Sequence, residues 1–105
     1  MSTLAPRILL VDDDQELCAL LTEYLGRFGL TASSAREPEQ ALRAFRTQPP
    51  DVLVLDVMLP GQDGFALLRR IRETSRCPVV TASRASMASS KFALRIINFT
   101  PKIAS

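Results

Sequence analysis

At 105 residues the chain has room for one domain and not for two. Hydrophobic residues make up 47% and charged ones 23%, which suits a soluble packed core, and a net charge of +2 excludes a strong general pull towards nucleic acid or membrane. No apolar run approaches a membrane span, the start lacks a signal-peptide pattern, and the absence of histidine removes imidazole bases, His-containing metal sites and any role as a phosphohistidine donor.

In chain order, Arg7 to Val11 reads as a first strand. Asp14 is placed to cap a helix whose stripe is Leu17, Leu20, Leu21, Tyr24 and Leu25, with Gly26 and Gly29 ending it. Leu30 to Ser34 is a short second strand. Pro38 suits the first turn of a second helix with Ala41, Leu42 and Phe45 inward, and Pro49-Pro50 stops it. Val52-Leu53-Val54-Leu55 is an uninterrupted apolar run of the kind buried on both faces in a parallel sheet. After Pro60, Gly61 and Gly64, a third helix carries Phe65, Leu67, Leu68 and Ile71 inward and Arg69, Arg70 and Arg72 towards solvent. Pro78-Val79-Val80 opens a fourth strand that continues through Ala82. Lys91 to Ile97 has helical spacing through Phe92, Leu94 and Ile96, although Ile96-Ile97 also fits the start of a strand, and Asn98 to Lys102 fits a fifth strand. Strands alternating with helices over short links argue for a parallel sheet covered on both faces.

Cys18, on an apolar helix face, and Cys77, just before a strand, lack metal-ligand spacing and are expected as buried thiols in a reducing cytoplasm. The charge is unevenly spread: all eleven acids lie at or before Glu73, so the last 32 residues hold none, and Ser83 to Ser90 is rich in Ser and Ala.

The chemistry gathers where apolar strands end in acid. Ile8-Leu9-Leu10-Val11 runs into Asp12-Asp13-Asp14, and the central run ends at Asp56. A lone strand-end Asp is an ordinary turn residue, and acids before a helix also complement its dipole. Two such strands are harder to explain that way. Right-handed crossovers can bring the first and third strands side by side, and open α/β sheets place ligands at that carboxyl edge. Asp12, Asp13 and Asp56 would then converge, and three close carboxylates call for a cation. All-oxygen ligands suit Mg²⁺, and a carboxylate beside it can attack phosphorus to form an aspartyl phosphate.

These residues, Ile8 to Asp14 and Leu55-Asp56-Val57-Met58-Leu59-Pro60-Gly61-Gln62-Asp63-Gly64, resemble the receiver domain of bacterial two-component response regulators, in particular the winged-helix transcription-factor branch. The resemblance is close over residues 7–80; residues 81–105 form an atypical tail of the same single domain, 1–105. It implies a flavodoxin-like (CheY-like) doubly wound parallel sheet of order 2-1-3-4-5. Asp56 would be the phosphoacceptor, and Asp12, Asp13, Asp56 and the Met58 carbonyl would hold Mg²⁺. A strand-four hydroxyl, either Thr81 or Ser83, and Lys102 would bind the phosphoryl oxygens, and Phe99 would sit at the aromatic switch position. The donor would be a sensor histidine kinase in the cytoplasm. This segment would make no direct contact with nucleic acid or membrane, and it would act as a signalling domain rather than as an enzyme, phosphate at Asp56 switching a surface for a partner or for dimerisation.

The tail departs from the pattern: Ile103 follows the lysine where the family has proline, and the family's final helix is lacking. That helix packs beside the first one, so its absence should bare Leu20 and Tyr24. Two further readings follow. One is a receiver-like binding module that does not switch on phosphorylation, with a homodimer or swapped dimer covering any open strand. The other is an Asp-nucleophile phosphohydrolase, although those usually carry a second Asp two residues after the nucleophile, where Met58 stands.

Overall fold

The computed structural model describes residues 6–56 and 64–82, with Phe92 and Ile96 beyond them. Its strands are β1 (Arg7–Val11), β2 (Thr31–Ala35), β3 (Val52–Asp56) and β4 (Val79–Ala82); its helices are α1 (Gln15–Gly26), α2 (Pro38–Thr47) and α3 (Gly64–Arg72). The strands are all parallel in the order β2-β1-β3-β4, the expected doubly wound arrangement over those four. The segment proposed as a fifth strand lies outside the described residues.

Burial follows from the two apolar runs. Along β1 and β3 every residue from Ile8 to Val11 and from Val52 to Leu55 is buried, because the sheet is covered on both faces. Alternation then sorts the side chains into two cores. Ile8, Leu10, Val52 and Val54 meet Cys18, Leu21 and Leu25 of α1. Leu9, Val11, Leu53 and Leu55 meet Ala41 of α2 and Leu67 and Ile71 of α3.

The helix ends behave as their residues dictate. Asp14 caps α1, its Oδ1 accepting from the Leu17 amide at 3.1 Å. At the other end the Leu30 amide returns to the Leu25 carbonyl at 3.2 Å. That closure needs a left-handed residue, which Gly29 supplies at φ 82°. Pro38 lies in the first turn of α2, and the Gln40 side chain accepts from the Arg36 amide at 2.8 Å.

The structure corrects several details. β2 begins one residue later than expected, at Thr31. Phe65 is half exposed: it stands two residues before Leu67, about 200° around the helix, so it faces away from the sheet. Leu20, assigned to the inward stripe, is 67% exposed, whereas Tyr24, expected to be bare, is half-buried against the core. Cys18 is buried but Cys77 only partly so. Arg70 is not merely solvated: it pairs with Glu39 of α2 at 2.9 Å.

Phe92 and Ile96 are helical, 2% and 0% exposed, and belong to the core on the α1 face of the sheet. Helical spacing there was legible in the chain, beside a strand alternative at Ile96-Ile97 that the helical Ile96 overturns. The face that Phe92 and Ile96 cover was not.

Candidate functional site

The site follows from the pairing of β1 with β3. Val11 stands opposite Leu55, so the next residues, Asp12 and Asp56, leave the sheet side by side at its carboxyl edge. Asp12 is 1% exposed and Asp56 0%. Asp13 is half-buried beside them, and one carboxylate oxygen from each of the three falls within 4.8 Å of the others.

Local hydrogen bonds hold Asp12 there. Its amide donates to the Ala35 carbonyl at 3.1 Å, which extends the β1–β2 pairing by one step. Its Oδ1 accepts from the Asp14 amide at 3.1 Å, a tight turn that swings the chain into α1. Asp14 is thereby committed to capping, and Asp12 and Asp13 are left for the cluster. The Oδ2 atoms of Asp12 and Asp56 are both shielded from solvent.

Three carboxylates this close repel one another, and the low-dielectric surroundings strengthen the effect. The donor set is all hard oxygen. The three oxygens lie within 4.8 Å of one another, close enough to share one ion. The cluster therefore fits a small divalent cation.

Cys18 lies just behind the site, its thiol 3.9 Å from the Asp12 carbonyl oxygen. Burial, reinforced by the charges of Asp12, Asp14 and Asp13, pushes the thiol up to about 11 from 9.0. The folded state thus holds this proton more tightly than the unfolded chain does. Stability is unaffected below the unfolded value of 9.0 and falls as pH rises from there towards about 11. At neutral pH the thiolate is scarce and screened. We expect a disulfide reagent to label Cys77 well before Cys18 in the native protein, and both together in urea. Equal native rates would contradict the burial of Cys18.

The structure describes only part of the rest of the expected set. Thr81 is exposed and pairs with Leu55, one step short of the Asp56–Ala82 pair. Val80 and Ala82 belong to the α1-face core and Val79 to the other, so alternation puts Thr81 on the α2–α3 face. Met58, Ser83, Phe99 and Lys102 lie outside the described residues. What the linear chain did not reveal was the part played by Ala35: no residue pattern announces that a β2 carbonyl will hold Asp12.

Residues 8–99 match the family model of the response regulator receiver domain. The chain belongs to that family. The match runs well past Val80, into the segment of unusual composition. This receiver domain is 44% identical over 75 residues to the transcriptional regulatory protein AfsQ1 of Streptomyces coelicolor, covering 71% of this chain and 33% of AfsQ1. The chain thus spans about a third of that relative's length. Among solved structures, the BeF3-activated receiver domain of Klebsiella pneumoniae RstA is similar at TM-score 0.68 and 30% identity, covering 86% of this chain and 78% of that one. A complex of histidine kinase ThkA with response regulator TrrA is similar at TM-score 0.68 and 29% identity, over 84% of this chain and 77% of that one. Among the described residues, no helix of this receiver domain is long and apolar enough to cross a membrane.

Proposed function

We propose that this receiver domain takes a phosphoryl group from a sensor histidine kinase onto Asp56, with Mg²⁺, inside the cytoplasm. The observation that carries the reading is the convergence of Asp12, Asp13 and Asp56 at the carboxyl edge of a receiver fold. The resemblance to a regulator solved in complex with a histidine kinase supports the choice of donor.

Asp12, Asp13 and Asp56 would hold the ion, with the Met58 carbonyl as a further oxygen. When bound, Mg²⁺ offsets the charge that builds on the transferring phosphoryl oxygens. An Asp56 oxygen attacks phosphorus; the new O–P bond forms as the P–N bond of the donor phosphohistidine breaks, and the imidazole keeps the electron pair. The burial of Asp56 keeps bulk water from the acyl phosphate. Lys102 and one hydroxyl would then bind the phosphoryl oxygens. Of the two candidate hydroxyls, Thr81 is a register step short of Asp56 and on the α2–α3 face. On that register we take Ser83 as the hydroxyl to test first, with Thr81 as the alternative.

The test is intact-mass detection of phosphoryl uptake from acetyl phosphate, with and without Mg²⁺. Uptake that depends on the ion supports the reading, and no uptake in its presence overturns it. In the same assay Ser83→Ala should change the phosphorylation rate or lifetime several-fold, while Thr81→Ala should leave both close to wild type. The reverse pattern would reassign the hydroxyl.

A second reading keeps the chemistry and removes the switch. A right-handed connection from β4 to a further parallel strand on its outer edge runs over the α2–α3 face. Phe92 and Ile96 instead pack on the α1 face. This favours a domain that accepts phosphate without relaying a shape change. Beryllofluoride with Mg²⁺ separates the two, since only a switching domain alters its dimerisation, or the environment of Tyr24, on binding.

A further inference from the structure

A second concave feature lies at the other end of the helices from the carboxylate cluster. Between α2 and the last turn of α3 runs a groove of about 490 Å³. Leu42, Phe45 and Ile71 form its floor, and Arg46, Arg70 and Glu73 stand around it. The floor is continuous with the core on that face, since Ile71 is a core residue and Leu42 and Phe45 pack against it half-buried.

The charge around the groove is predominantly basic and comes from two helices. Arg70 reaches across to Glu39, and the Glu39 carboxyl is held below its ordinary range by Arg70 first, with Arg46 and Arg43 adding to it. Arg72 donates to the carbonyl of Ser75, another lining residue. The Arg70–Glu39 pair is exposed on both sides, so it is weak and the guanidinium can exchange its partner at little cost. An apolar floor bordered by Arg46 and Arg70, with Glu73 as the one acid in its lining, is the complement of an acidic segment with one apolar anchor.

We propose that this groove docks an acidic segment of another protein, seating one bulky apolar side chain on Leu42, Phe45 and Ile71 and carboxylates against Arg46 and Arg70. The site is independent of Asp56: phosphorylation and docking use opposite ends of the fold. It adds to the receiver domain a recognition surface chosen by charge.

The experiment is an amide NMR titration of the whole chain at low salt with two synthetic peptides, each carrying one phenylalanine. In one peptide the flanking residues are glutamates, in the other lysines. The glutamate peptide should shift the amides of Leu42, Thr74 and Ser75. Its affinity should fall about tenfold in Arg46→Glu or Arg70→Glu, rise in Glu73→Lys, and stay unchanged in Asp56→Asn. Three results would overturn the proposal. The two peptides could bind alike, leaving the arginines only the helix ends to serve. The shifts could centre on Leu20 and Phe28. The groove amides could move with protein concentration alone, which would make a second copy the occupant.

Discussion

Asp56→Asn should abolish phosphoryl uptake and, in the same protein without metal, raise its stability. The loss follows because a carboxamide oxygen is a poor nucleophile and carries no charge to attract the ion. The gain follows from the geometry: one of three carboxylates within 4.8 Å of one another becomes neutral. Removing repulsion at that range, at an effective dielectric near that of partly buried sites, is worth on the order of 1–3 kcal/mol. Several degrees in thermal midpoint should result for a domain of this size. Magnesium should then narrow the difference, because it binds the native wild type and stabilises it by mass action, roughly 2.7 kcal/mol at a hundredfold excess over Kd. Scanning calorimetry of both proteins, with and without the ion, reads all of this. If the asparagine protein is less stable without metal, the cluster is not a repulsive one. If it still takes up phosphate, Asp56 is not the acceptor.

The second large effect is expected at Phe92. Truncation to alanine removes a side chain that is 2% exposed and sits with Ile96 among Leu10, Leu21, Leu25 and Val54. Such deletions cost about 3–5 kcal/mol, the lost transfer energy plus the cavity left behind. Small domains have only about 5–15 kcal/mol in total, so much of the stability would go. Phe92→Leu, which keeps most of the volume, should cost under about 1.5 kcal/mol. Leu20→Ser, at a position 67% exposed, should stay within about 0.5 kcal/mol of wild type. Urea midpoints for the three variants make the comparison. A Phe92→Ala cost no larger than that of Leu20→Ser would show that this residue does not close the α1 face.

Much of the architecture was legible because it rests on short-range rules. Val52 to Leu55 could hardly be anything but a doubly covered strand, Asp14 announced a helix start, and Gly29 its end. The candidate site was legible for the same reason: two apolar strands that each stop at an acid specify where those acids leave the sheet, once the strands are neighbours. The misplaced side chains were errors of angle. Leu20 and Phe65 are apolar and lie on helices, but the direction each one faces is decided by where the helix settles on the sheet.

The linear chain by itself determined the order of the elements, the covered strands β1 and β3, and the residue types that can hold a hard cation. It could do so because periodicity, capping and turn chemistry act over a few residues. Only the tertiary structure decided that Asp12 is held by Ala35, that Thr81 pairs with Leu55, that Phe92 and Ile96 cover the α1 face, and that a groove bordered by arginines opens between α2 and α3. Each of these depends on register or on which face of the sheet a segment packs against. Such choices are made by contacts between residues far apart along the chain, and no local pattern encodes them.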